Sequence, residues 1–181
     1  MKLNTQLLET VTAKYAILAQ SITGQALTDA LAWYCEAQAF AKHLTTITPW
    51  TLEVAASVVS SFSPRNKWAT NKSYALQFAM GVNPKGLPNN LRMAQASTRL
   101  GFAALRGAKT NAFARAISGD MSAVVIDTCM IKAAGLNSTK GVNKTQYATL
   151  AAAVCRVAHA MKWDNAQCQA AIWCAVRGGH A

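Results

Sequence analysis

An all-helical fold is what this 181-residue sequence predicts, and three observations predict it. Apolar residues recur at spacings of three and four almost throughout, caps and breakers stand where that pattern resets, and the β-branched run Ala123–Ile126 is brief. A chain of this length makes one domain and buries roughly 70% of its unfolded surface. A single domain over 1–181 is therefore expected, needing no disulfide or metal to stay folded.

The elements follow in order. Leu7, Leu8, Val11, Tyr15 and Leu18 give the apolar stripe of a first helix, and Leu27, Leu31, Tyr34, Cys35 and Ala39 that of a second. Thr48 with Pro49 supplies a cap and a first-turn proline for a third helix through LEVAASVVSSF. Ser63-Pro64 resets the chain and opens a fourth through NKWATNKSYALQFAMG, ended by Gly81. After the loop VNPKGLP, an asparagine start leads into a fifth helix, NNLRMAQASTRLGFAAL. A short helix spans about Ala108 to Ile117, and another begins near Asp127 after the β-branched run. Gly135 to Ser138 is a loop. A helix from about Lys144 to Met161 follows, then one capped by Asp164 and stopped by the glycine pair Gly178 and Gly179.

Eighteen Lys and Arg against seven Asp and Glu leave a net charge of +11, a balance that suits a polyanionic partner such as nucleic acid or simply keeps the chain soluble. Glu9 and Lys14 sit inside the N-terminal apolar pattern, so that stretch reads as an amphipathic helix and not a signal peptide. No run has the length of a membrane span. The expected setting is the cytoplasm, at the nucleoid or in a virus-infected host, with no membrane partner. Cys35, Cys129, Cys155, Cys168 and Cys174 are odd in number and form no CxxC pair, and most lie in apolar helical runs as small hydrophobes. His43, His159 and His180 lack any HxxxH spacing, and Walker, GxGxxG and GxSxG patterns are missing, so no metal or nucleotide cofactor is expected.

What remains is a lysine and an aspartate in a mostly small, apolar stretch, LRGAKTNAFARAISGDMSAVVIDTCM. Residue by residue, Lys109 reads as a solvated lysine at a helix start and Asp127 as an N-cap. Their spacing suggests more. Gly107-Ala108-Lys109-Thr110 is followed, eighteen positions after the lysine, by the aspartate of Val124-Val125-Ile126-Asp127-Thr128. This resembles the helix-hairpin-helix DNA glycosylases of the endonuclease III kind, in which a hairpin LPGVGxKTA precedes a VDTH run at the same distance. Val58-Val59-Ser60-Ser61-Phe62 is similar to that family's LLSAQ segment, and the helix around Trp173 is loosely similar to its last core helix. The resemblance covers about residues 50–178. It departs at Ala104 and Leu105, where the family has proline and its first hairpin glycine, and the four-cysteine iron–sulfur motif is missing.

The resemblance implies a helical bundle of two small lobes flanking a cleft, a monomer acting on double-stranded DNA without a cofactor. It implies that Lys109 is the nucleophile and Asp127 the essential carboxylate of a base-excising glycosylase, with possible AP lyase activity. Glycosidic cleavage builds positive charge on the sugar, which a nearby carboxylate stabilises, and an attacking amine must be neutral, a form that apolar surroundings favour. The base must leave the stack, and Phe62 is the expected wedge that fills its place. Ser63, Arg65, Asn66, Lys67, Gly107 and Thr110, with Lys72 nearby, are the expected DNA contacts, and Ser61 and Trp68 the expected base pocket, with Ser60 a further candidate. Two cations in the first turn of a helix, as SPRNKW suggests, favour a bound anion. Two other readings stay open: a non-catalytic DNA-binding or base-modifying protein on the same scaffold, or a helical protein-interaction domain.

Overall fold

In a computed structural model that describes residues 3–139 and 141–178, every regular element among the described residues is helical. The α-helices are α1 (Thr5–Ser21), α2 (Gly24–Ile47), α3 (Leu52–Ser61), α4 (Trp68–Ala79), α5 (Pro88–Leu100), α6 (Ala108–Ile117), α7 (Thr128–Ala133), α8 (Lys144–Met161) and α9 (Asn165–Arg177), with a 3-10 turn at Gly101–Ala104. Gly179 and His180, named above, lie outside the described residues.

Local chemistry explains most boundaries. The Asn4 side chain accepts from the Leu7 amide to start α1, and Asn143 and Gln146 bond each other's backbone amides in a reciprocal cap on α8. Gly178, with φ of 72°, ends α9 in the left-handed conformation that stops helices. Three expected starts move. Thr48 bonds back to the Leu44 carbonyl at the end of α2, and Thr51 caps α3 instead by accepting from the Val54 amide. The segment Ser63–Lys67 is a turn and not a first helical turn, because Arg65 adopts φ of 64°, which no right-handed helix accommodates. Leu87 precedes α5, with Pro88 inside its first turn.

Two compact units form, a split unit from residues 1–34 and 121–181 and an inserted unit from residues 35–120. In the split unit α1, α8 and α9 pack together and α7 lies on α9. Leu8, Val11, Tyr15, Ile126, Met130, Leu150, Val154 and Ile172 are buried among them. In the inserted unit α3 is the hub, packed by α4, α5, α6 and the 3-10 turn. Its residues Ala55 to Ser61 are all buried, so small and β-branched side chains let several helices approach it.

Candidate functional site

In the inserted unit, α5, the 3-10 turn and α6 form a helix–turn–helix, and its turn is held by three side chains. Glu53 of α3 accepts from the Phe102 amide at 3.0 Å, and a Cβ on Gly101, whose φ is 52°, would run into that same carboxylate. Asn111 donates to the Phe102 and Leu105 carbonyls at 3.1 and 3.4 Å, clamping the turn from α6. Leu105 is buried with φ of −92°, a conformation open to any residue, so the turn forms without a glycine there. Thr110 donates to the Gly107 carbonyl at 3.0 Å. No side chain caps α6, so its first amides lack intrahelical acceptors beside exposed Arg106 and Gly107. Lys109 is half-buried in that first turn and has no hydrogen-bond or ion-pair partner among the described residues.

The α3 end of the site differs from expectation. Phe62 is 1% exposed and meets Tyr74 and Phe78 edge-on at 6.1 and 5.8 Å between ring centres. It is a core aromatic in this conformation, because the last turn of α3 faces α4, and its ring is not presented as a wedge. Ser61 is also fully buried, donating to the Ser57 carbonyl at 2.8 Å and lying 3.1 Å from the Ser97 hydroxyl, so it lines no base pocket. Ser60 is spent in the same way on the Thr110 carbonyl at 2.7 Å, which ties α3 to α6. Ser63 is half-buried, its hydroxyl without a partner among the described residues. Asn66 donates to the Phe62 carbonyl at 2.8 Å and is occupied with the turn, while Arg65 and Lys67 are exposed. Trp68 is half-buried, edge-on to Phe40 and Phe113, with the Lys72 ammonium 5.6 Å from its ring centre.

Between Glu53 and Asp120 the chain carries nine Lys and Arg and no carboxylate. Arg115 alone of the nine pairs with a carboxylate among the described residues, Asp120 at 3.8 Å.

Asp127 belongs to the split unit, where it caps α7. Its Oδ1 accepts from the Cys129 and Met130 amides at 2.9 and 3.0 Å, and its Oδ2 from the Trp173 indole at 3.0 Å. The chain on either side is pinned by phenols. Tyr147 donates to the Val124 carbonyl at 3.1 Å and accepts from the Ile126 amide, and Tyr15 donates to the Met130 carbonyl at 2.8 Å. Lys14 secures the end of α7 through the Ala134 carbonyl at 3.0 Å. Tyr34, buried, donates to Gln169 at 2.6 Å. Burial first, and then the Asp127 charge, pushes the hydroxyls of Tyr15 and Tyr34 well above the ordinary range for a phenol. Tyr147 moves up for the same two reasons, against the lowering effect of its bond from Ile126.

Arg177 stacks on Trp173, its guanidinium 4.7 Å from the ring centre. Burial raises the Cys129 thiol and Asp127 adds to the rise, while Arg177 and Lys132 oppose it. Sequence reading missed Trp173, Tyr15, Tyr147 and Asn111 as supports, since none lies in a motif. The one sequence signal was the helical spacing of Trp173 and Arg177, four apart on α9.

No cluster of three or more metal-ligating side chains occurs among the described residues, and no helix there is long and apolar enough to cross a membrane. Fold and site define a class: a basic, all-helical protein with an uncapped helix start after a clamped turn and a rigidly held carboxylate. The chain belongs to a family of unknown function, DUF7178, whose pattern it matches over residues 2–180. No curated protein and no solved structure matches it.

Proposed function

We propose that this protein binds double-stranded DNA and excises a damaged or modified base as an N-glycosylase. In that reaction the Lys109 amine attacks C1′, the glycosidic bond breaks with its electron pair leaving on the base, and the amine's proton is lost. The departing base takes up a proton, and the aminal left at C1′ opens as the nitrogen lone pair forms C=N and the C1′–O4′ bond breaks, O4′ taking a proton. The Schiff base so formed opens the way to strand cleavage. Asp127 stabilises the positive charge that develops on the sugar. The observation that carries the reading is the fixing of Asp127. Three donors orient its carboxylate, and Tyr15 and Tyr147 pin the backbone on both sides, as an electrostatic group that must not reorganise requires. On the DNA side, the uncapped start of α6 beside Arg106, and the exposed Arg65 and Lys67, supply phosphate contacts. A monomer working without a cofactor in a cytoplasm, bacterial or virus-infected, fits this chemistry.

Borohydride trapping on duplexes carrying damaged, mismatched or modified bases tests the proposal. A covalent adduct that Lys109→Gln abolishes is the expected result, with base release abolished by Asp127→Asn. No adduct and no abasic product from any duplex would overturn it. A second reading, DNA binding without chemistry, is favoured by one observation: both Asp127 oxygens are already engaged by the fold's own donors. On that reading, salt-sensitive DNA binding persists in both variants and no duplex yields product.

A further inference from the structure

Beside the turn that displaced the expected helix start lies an open groove of about 550 Å³, bounded by Pro64 and Arg65 on one side and by Leu87, Asn89, Arg92 and Met93 on the other. Two features set it apart from a surface dent. Its walls carry two exposed guanidinium groups, and neither has a carboxylate partner among the described residues. Arg92 instead donates to the Asn89 side chain at 2.9 Å, which orients its guanidinium at the groove wall. The groove is also built firmly. Asn90, 3% exposed, reaches across from α5 to donate to the Pro64 carbonyl at 3.1 Å, and Asn66 donates to the Phe62 carbonyl, so the turn bearing Arg65 is tied to the helix bearing Arg92. Arg65 holds φ of 64°, a left-handed conformation that costs a non-glycine residue of order 1 kcal/mol.

The surrounding chemistry selects the occupant. Because the groove falls within the stretch from 54 to 119 that has nine cations and no carboxylate, an anionic ligand meets no repulsion from nearby sequence. Guanidinium forks match the paired oxygens of a phosphate. Running away from the groove along α5, Arg92 and Arg99 are seven residues apart, hence on one face, and both are exposed with Gln95 between them. A ligand with phosphates repeated along its length fits such a row better than an isolated anion does.

We infer that Arg65 and Arg92 seat a backbone phosphate of a nucleic acid in this groove, a contact separate from the start of α6. The inference rests on the DNA-binding reading above and assigns it a place. Duplex binding measured by fluorescence anisotropy at several salt concentrations, with wild type, Arg65→Gln/Arg92→Gln and Lys144→Gln of the split unit, tests it. Each phosphate contact contributes about 0.9 to the slope of log affinity against log salt. The double variant should lose about 1 from that slope and roughly tenfold in affinity at low salt, while Lys144→Gln leaves both unchanged. Arg65→Gly, which suits the left-handed turn and so protects folding, should weaken binding in the same direction. Wild-type affinity and slope in Arg65→Gly and the double variant overturn the inference and leave DNA binding standing. No wild-type binding at low salt overturns both.

Discussion

The two units spend their polar groups in opposite ways. In the split unit the carboxylate of Asp127 is surrounded by donors and phenols that the fold supplies, from α1, α7, α8 and α9. In the inserted unit the cations of residues 65–109 stand without carboxylate partners, and the polar groups that are tied up, Ser60, Asn90, Asn111 and Glu53, serve to hold turns in place. A held charge is suited to acting on a transition state, because it does not reorganise, whereas unpaired exposed charge is suited to attracting a polyanion. On the proposed reading, the split unit supplies the fixed carboxylate, and the inserted unit supplies the Lys109 amine and the cations that meet DNA.

The comparison breaks first at Asp127. Asp127→Asn keeps an oxygen for the α7 amides but removes the charge, so base release should fall at least 100-fold, read in a single-turnover assay, while the protein stays folded. Unchanged release would remove the carboxylate from the chemistry. Next in size is stability: Asp127→Ala deletes the cap and strands the Trp173 indole, costing about 2 kcal/mol in a denaturant titration. Lys109→Gln, lacking any partner to lose, should stay within about 0.5 kcal/mol of wild type in the same titration. Equal costs would erase the distinction between held and free charge.

A third prediction concerns the turn in the inserted unit. Gly101→Ala forces a side chain into a positive φ and against the carboxylate that holds the Phe102 amide, and about 1–2 kcal/mol of stability should be lost. A neutral result would mean that Glu53 does not secure the turn.

The last effect is alkaline. Burial, with a neighbouring Cys155, pushes the Cys168 thiol from the usual 9.0 up to about 12, and Tyr15 and Tyr34 are raised as well. These groups stay protonated in the folded chain after they ionise in the unfolded one. Their contribution is therefore whole below pH 9 and declines above it, by about 1.4 kcal/mol per pH unit for each group that ionises in the unfolded chain first. Thermal melts between pH 7 and 11 should show a flat midpoint and then a fall. A midpoint that rises above pH 9 would contradict the burial of these groups.

How much of this was legible beforehand depends on how local the cause was. The limits of α6 and α8, the Asp127 cap and the stop at Gly178 were readable because capping involves residues within one turn of each other. The start of α3 was not, since Thr48 and Thr51 are equally good caps on paper and a bond to Leu44 decides between them. The start of α4 was lost to the positive φ of Arg65, which no composition rule announces. Phe62 and Ser61 sit in a segment whose outward face is fixed by what packs on α3, a tertiary matter. Trp173 meets Asp127 across forty-six residues of sequence.

One feature of the topology bears on how the chain is made. Because residues 35–120 form a unit of their own, that unit is complete before α7, α8 and α9 are made. Helix α1 is made before that unit but packs on α8 and α9, which are made after it. At about 5–20 residues per second, Leu8, Val11 and Tyr15 go without their partners for on the order of ten seconds. During that interval the apolar stripe of α1 lacks the cover that α8 and α9 later give it.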